Sequence, residues 1–312
     1  MTERTAPATM KAVRLHALGD VASITFDEVP TATPGAGEVL VEVHAAAITR
    51  DELTWPADRL PAIPSYELSG TVVAFGDGVS GFEPGQDVYA MTGFDRDGVA
   101  AEYAAVPWRE LSFKPKTLTH VEAAAIPLPA LSAMQGLFDY GRLTKNERVL
   151  IHGGAGGVGA YAVQLARLHG AYVIATASAS RVAQARALGA DEVIDHTSTD
   201  FTTIDPVDLV FDTVGGERLA RSVEVLGRGG RLVSVADDPP ATASDQGIEA
   251  TSFLVESNPD QLTELARLAD AGALRVSVER TYPLSDAKEA FAHLMEQGGT
   301  GKIVLTAIEE QP

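Results

Sequence analysis

A chain of 312 residues, 45% hydrophobic and 21% charged, is long enough for one large domain or two ordinary ones and apolar enough to bury a core. Its 24 lysines and arginines face 43 aspartates and glutamates, a formal charge of −19, and a field of that sign repels nucleic acid and anionic membrane surfaces alike. With no cysteine anywhere, disulfides, thiolate catalysis, cysteine-ligated zinc and iron–sulfur clusters are removed together.

The polar segment from Met1 to Thr9 lacks the apolar core of a secretory signal and reads as a tail. From Met10 to about Pro107, short β-like runs (Val39 to Val43, Gly70 to Phe75, Asp87 to Ala90) alternate with Gly and Pro turns such as Pro34 to Gly37, which predicts an antiparallel, partly barrel-like module. The most apolar stretch, 123–138, is broken by Pro127 and Pro129 and is too short to span a bilayer. A soluble, cytoplasmic protein with no nucleic-acid or membrane partner is expected.

After about His120 the pattern changes. A buried strand from Arg148 leads to a glycine-rich turn and a helix that runs to His169 and stops at Gly170. Further strands are expected at Tyr172 to Thr176, Glu192 to Asp195, Asp208 to Asp212, Arg231 to Val235 and in the apolar run Ile248 to Val255, with a helix from about Ser180 to Leu188 among those between them. Six strands alternating with helices predict a doubly wound parallel sheet covered on both faces. The remaining pieces are a helix from about Pro259 to Ala271, a second from Ser285 to Gln297 and a strand at Ile303 to Leu305. They do not extend that sheet and are expected to return to the first module. The expected division is 1–125 completed by 260–312, with 126–259 as the nucleotide-binding domain.

Gly154-Ala155-Gly156-Gly157-Val158-Gly159 fits G-x-G-x-x-G between a predicted strand and a predicted helix, the context in which that spacing binds a dinucleotide. The first glycine is expected to make the tight turn, the second to admit a pyrophosphate and the third to let the helix pack on the strand. Sites that prefer NAD place an acid about twenty residues on, for the ribose 2′-hydroxyl. Here the chain reads Thr176-Ala177-Ser178-Ala179-Ser180-Arg181, with no acid before Asp191. Ser178 can hydrogen-bond a 2′-phosphate and Arg181 can clamp it with a planar fork, so NADPH is the expected cofactor.

The whole pattern resembles the medium-chain dehydrogenase/reductase superfamily, in its zinc-free, quinone oxidoreductase-like branch. The resemblance rests on Gly78 to Gly85 with Asp87-Val88, Ala101-Glu102-Tyr103, Ala123 to Ala133, Gly153 to Gly159, Leu188 to Asp195, Val210 to Gly215 and Gly301 to Leu305. It implies a GroES-like, β-rich substrate domain beside a Rossmann domain, an active site in the cleft between them, and commonly a homodimer. It also implies nicotinamide and phosphate contacts at Thr49, Ser132, Val214, Val235 and Phe253, with His196 in place of a tyrosine beside the adenosine phosphate. Where zinc-dependent relatives carry metal ligands, this chain has Thr49, Tyr66 and, in the third position, a residue near Leu128; these are not a zinc donor set, so no metal is expected.

The function expected from these residues is hydride transfer from NADPH to a small-molecule quinone or an α,β-unsaturated carbonyl. Tyr66 is the candidate proton donor or pocket wall, Thr49 and Tyr66 are candidates to hydrogen-bond the acceptor's carbonyl, and Trp55 is a candidate substrate-pocket residue. The alternatives are an enoyl-thioester reductase, which would need clustered cations for a phosphopantetheine, and a catalytically idle NADPH-binding protein.

Overall fold

The computed structural model describes residues 6–296 and 301–308. Residues 1–5 of the expected tail, and Gln297 at the end of an expected helix, lie outside them. The chain divides into two compact units. One comprises residues 1–128, 257–272 and 276–312; the other comprises 129–256 with 273–275.

The first unit opens with a hairpin of β1 (Thr9–Leu15) and β2 (Ile24–Pro30). Five more strands follow: β3 (Glu38–Ile48), β4 (Glu67–Phe75), β5 (Asp87–Met91), β6 (Tyr103–Pro107) and β7 (Leu111–Phe113). The long strand β3 is nearly all buried, because its run Val39 to Ile48 packs against β4 on one side and β6 on the other. A short helix α1 (His120–Ala124) starts in a capping box: the Glu122 amide donates to Thr119 Oγ1 at 3.2 Å, and Glu122 Oε2 accepts from the Thr119 amide at 2.9 Å. Helix α2 (Pro127–Met134) comes next.

The second unit contains a six-stranded parallel sheet built from β8 (Arg148–Ile151), β9 (Tyr172–Ala177), β10 (Glu192–Asp195), β11 (Val207–Asp212), β12 (Leu226–Ser234) and β13 (Glu249–Ser252). Its order is β10-β9-β8-β11-β12-β13, so the winding reverses between β8 and β11, the place where open α/β sheets take their ligands. Val149, Leu150 and Ile151 are fully buried, as a parallel strand covered on both faces requires. Helix α3 (Gly157–His169) ends at Gly170, whose φ of +90° only glycine adopts at little cost. The helix expected over 180–188 is split into one 3₁₀ turn at Ala179–Arg181 and α4 (Val182–Ala187). Helix α5 (Gly216–Arg221) follows β11.

The C-terminal pieces return to the first unit. Helix α6 (Pro259–Asp270) is capped by Asn258, whose Oδ1 accepts from the Gln261 amide, and is tied down by Tyr89, whose hydroxyl donates to the Leu262 carbonyl at 2.5 Å. Strands β14 (Val278–Pro283) and β15 (Lys302–Thr306) pair in parallel, with helix α7 (Ala287–Glu296) between them in the chain. Strand β15 then joins β3 antiparallel, with Ile303 opposite Ile48 and Thr306 opposite Ala45. The last strand thus completes the sheet begun by the first hundred residues.

Candidate functional site

In the second unit, each expected cofactor residue except Ser132 falls in or next to a segment that leaves the carboxyl end of a parallel strand. The glycine loop leaves β8, Ser178 and Arg181 follow β9, His196 follows β10, Val214 follows β11, Val235 follows β12 and Phe253 follows β13. Ser132 is on α2, is 3% exposed and is held by other polar contacts.

The turn itself differs from the expectation in one respect. The left-handed residue is Gly153, at φ +72°, not Gly154. Gly154 is required for a different reason: a Cβ there would stand 2.6 Å from that of Ala175 on β9. Gly159 has the expected packing role, since a Cβ would lie 2.1 Å from the Gly153 carbonyl oxygen and push α3 off the loop. Nothing lies within 4 Å of a Cβ built on Gly157, so the first turn of α3, with Val158 next in line, faces open space. Gly156, the N-cap, has no side chain to satisfy the first helical amides. A backbone brought close, bare amides and space in front of them fit the pyrophosphate of a dinucleotide.

Beyond β9 no carboxylate competes for the ribose. Asp191, the first acid after the strand, is spent on the Val173 amide at 2.9 Å and on Arg167 at 3.2 Å. Ser178 Oγ lies 3.3 Å from Ser180 Oγ. Arg181 is half-buried; its amide donates to the Ser178 carbonyl at 2.8 Å, and its guanidinium has no carboxylate or hydrogen-bond partner among the described residues.

Two anchors escaped the sequence reading. Asp212, buried at the end of β11, accepts from the Gly215 amide at 2.8 Å and the Ser234 hydroxyl at 3.0 Å, and so fixes the turn that carries Val214. Burial raises its carboxyl above the usual range, with those hydrogen bonds pulling the other way. His152, one residue past β8, is fully buried between Thr176 Oγ1 and Ser222 Oγ, and burial lowers it to about 3, so it is neutral. Phe253 does not stand free: its ring stacks on Tyr140 with centroids 4.3 Å apart.

The first unit gathers a second set of residues. Thr49 follows β3, Glu52 sits on a 3₁₀ turn at Glu52–Thr54, Tyr66 and Glu67 open β4, and Lys302 opens β15. Lys302 Nζ donates to Thr49 Oγ1 at 2.9 Å and to Glu67 Oε1 in a short contact. The other Glu67 oxygen accepts from the Leu128 amide at 2.9 Å. Glu52 accepts from the Thr49 amide at 2.9 Å and the Ser65 amide at 3.1 Å. Thus two carboxyl groups, both essentially inaccessible, share one ammonium group that is itself buried.

Burial pushes both carboxyls up, and Lys302 opposes it. Lys302 touches Glu67 directly and reaches Glu52 only through space, so Glu52 is the one pushed up to about 8 and protonated at neutral pH. The sequence reading placed Thr49 against an acceptor's carbonyl. In the structure its hydroxyl oxygen accepts from Lys302, which leaves the O–H hydrogen to donate.

Tyr66 is 0% exposed, and its hydroxyl makes no hydrogen bond of ordinary geometry. Its ring packs against Phe94 at 5.2 Å and Trp55 at 5.6 Å, while Trp55 and Phe94 meet edge-on at 4.8 Å. Burial, then the nearby Glu52, push the phenol up to about 12, with the Arg59 guanidinium in opposition. The raised phenol and the surrounding rings favour the pocket-wall role of the two expected for Tyr66. At the positions expected to differ from zinc ligands stand Thr49, bound to Lys302, Tyr66, enclosed by aromatic rings, and Leu128, whose amide is bound to Glu67. No group of three or more His, Cys, Asp or Glu side chains placed to hold a metal occurs among the described residues.

Comparison with known proteins gives the same outline. Residues 35–116 match the family described as "Alcohol dehydrogenase GroES-like domain", and residues 188–305 match "Zinc-binding dehydrogenase". The chain is 31% identical over 92% of its length to 94% of a probable zinc-binding oxidoreductase, mitochondrial, from Arthroderma benhamiae. It is 33% identical over 87% of its length to 72% of an NADPH-dependent alkenal/one oxidoreductase, chloroplastic, from Arabidopsis thaliana. Among solved structures, the quinone oxidoreductase from Coxiella burnetii superposes with a TM-score of 0.89 at 31% identity, covering 96% of this chain and all of that one.

Proposed function

This chain belongs to the medium-chain dehydrogenase/reductase superfamily and is a nicotinamide-dependent oxidoreductase, and from that premise we propose that it transfers hydride from NADPH to a quinone or an α,β-unsaturated carbonyl without zinc. The observation that carries this reading is the set of groups around Glu67. A lysine ammonium, a threonine hydroxyl and a leucine amide contact its carboxylate or one another, and none of them is a thiolate or neutral imidazole that would hold catalytic zinc. Without a Lewis acid, an isolated carbonyl is not polarised and an alcohol is not deprotonated near neutral pH. The acceptor must therefore be electron-poor by itself.

Quinones and enones meet that requirement. Hydride adds to the β-carbon of an enone, the C=C electron pair moves onto the carbonyl oxygen, and the resulting enolate takes a proton from water at its α-carbon. No proton donor from the chain is needed. The nicotinamide supplies the hydride, and the protein supplies position and the exclusion of side reactions. Gly154 to Gly159 would take the pyrophosphate, and Ser178 with Arg181 the 2′-phosphate; a guanidinium with no carboxylate partner, beside a strand end with no acid, supports NADPH over NADH. The Arabidopsis alkenal/one oxidoreductase and the Coxiella quinone oxidoreductase bear names that point to the same two acceptor classes.

The test is cofactor oxidation, followed for NADPH and NADH against a panel of quinones, enones, an enoyl thioester and simple aldehydes, with and without a metal chelator. NADPH consumed with quinones or enones, at a rate the chelator leaves unchanged, is the expected result. Turnover that depends on about one zinc per chain would overturn the metal-free reading. A preference for the enoyl thioester would overturn the acceptor assignment, and no cofactor consumption with any acceptor would leave a binding protein.

A further inference from the structure

Arg218 lies on α5, two residues past the Gly215-Gly216 turn, and is half-buried. Its Nη2 stands 3.0 Å from His196 Nδ1, and it has no carboxylate partner among the described residues. Arg221 on the same helix is, by contrast, bound to both oxygens of Asp200, at 3.0 and 2.8 Å. Neither Arg218 nor Arg181 has a carboxylate partner among the described residues, and both follow carboxyl ends of strands in the same sheet.

His196 links them. Its amide donates to the Ala177 carbonyl at 3.1 Å, which puts it one strand, about 4.8 Å, across from Ser178. A guanidinium can only donate, so Nδ1 of His196 accepts and Nε2 carries the hydrogen. The pair therefore offers one imidazole N–H and the remaining guanidinium N–H groups. They line a depression of about 350 Å³ together with Thr197, Ser198 and Arg221. Asp200 there is bound to Arg221, and Glu217, on the exposed first turn of α5, is the one lining acid without a cation partner among the described residues.

We propose that Arg218 is a binding residue for the 2′-phosphate of the cofactor, working with His196, whose tautomer it fixes. This rests on the NADPH reading above. It divides the recognition between two sides: Ser178 and Arg181 from the end of β9, His196 and Arg218 from the end of β10 and from α5. The side formed by Arg218 has no counterpart in the sequence pattern, because a lone arginine in a helix signals nothing by its spacing.

The experiment is equilibrium binding of NADPH, NADH, 2′,5′-ADP and 5′-AMP to wild type, Arg181→Ala, Arg218→Ala, Arg218→Lys, His196→Ala and the His196→Ala/Arg218→Ala pair. Arg218→Ala is expected to weaken NADPH and 2′,5′-ADP about tenfold, the loss of one charge-assisted contact, and to leave NADH and 5′-AMP within about twofold. Arg218→Lys, which keeps the charge and loses the fork, falls between. The double variant is expected to lose less than the product of the two single losses, since each residue acts through the other. An unchanged unfolding midpoint for Arg218→Lys shows that the fold is intact. If Arg181→Ala loses NADPH selectivity while Arg218→Ala does not, or if Arg218→Ala weakens NADH equally, Arg218 has no role in phosphate recognition. If wild type binds both cofactors equally and Arg181→Ala changes neither, the NADPH reading itself fails, and this inference with it.

Discussion

Lys302 Nζ and Thr49 Oγ1, 253 residues apart in sequence, lie 2.9 Å apart, and the same ammonium group is bound to Glu67. One cation therefore holds together the ends of β3, β4 and β15, the strands that close the discontinuous first unit. Removing it leaves a buried carboxylate with no counter-charge. Lys302→Met is expected to cost about 3–5 kcal/mol of unfolding free energy, measured by denaturant titration. Adding Glu67→Gln to it should recover part of the loss, because the stranded charge is gone. A Lys302→Met loss below about 1 kcal/mol, the range of an exposed ion pair, would show that the contact carries no weight.

Glu52 gives the fold a pH dependence of known sign. Burial holds its folded pKa up at about 8, above the ordinary carboxyl value of 4.5. Between those values the native state keeps a proton that the unfolded state has released, so stability from this group is full at low pH and falls as pH rises through the interval. The slope is up to about 1.4 kcal/mol per pH unit. Glu52→Gln cannot titrate, so its stability should be lower at pH 5, because the amide cannot accept both backbone N–H groups, but flatter from pH 5 to 8. Urea midpoints for the two proteins across that range check it; parallel curves would contradict the assignment.

Gly159→Ala tests the glycine loop. The added methyl meets the Gly153 carbonyl oxygen at 2.1 Å, and that neighbour is backbone, which cannot swing away. Overpacking of this kind costs about 1–3 kcal/mol, and the displaced amides should lose dinucleotide affinity as well. Both are read from thermal unfolding with and without cofactor. An unchanged cofactor-induced shift would mean that the loop does not bind the pyrophosphate.

These sites were legible in the sequence to different degrees, for a physical reason. The loop Gly154 to Gly159 and the missing acid after Thr176 are local: their chemistry is written in spacing along a few residues next to one strand. Even there the left-handed turn fell on Gly153, because which of two adjacent glycines takes positive φ depends on how the strand enters the turn. The cluster of Glu52, Glu67 and Lys302 was not read from the sequence. Each is an ordinary charged residue in its own segment, and they meet only because β15 pairs with β3 across the sheet. Glu67 follows Tyr66 directly, and Lys302 lies within the Gly301 to Leu305 motif, so the residues were in view while their convergence was not. Nothing near Thr49 in sequence announces the lysine that donates to its hydroxyl.

Tyr66→Phe separates wall from proton donor. The hydroxyl is buried without a hydrogen bond, so its removal should leave stability unchanged or raise it by up to about 1 kcal/mol. Turnover should stay within about threefold of wild type, where loss of a general acid would cost a hundredfold or more. A collapse in turnover with the fold intact would make Tyr66 the donor after all.

The most direct test of the proposed chemistry is to follow the transferred hydrogen. With NADPH carrying deuterium at the transferring position of the nicotinamide, an enone acceptor in ordinary water should give a saturated carbonyl product with deuterium at its β-carbon and protium from solvent at its α-carbon, read by NMR and mass spectrometry in the presence of chelator. Deuterium on the carbonyl carbon, giving an allylic alcohol, or product formed only when zinc is restored, would contradict hydride delivery to an activated C=C without a metal.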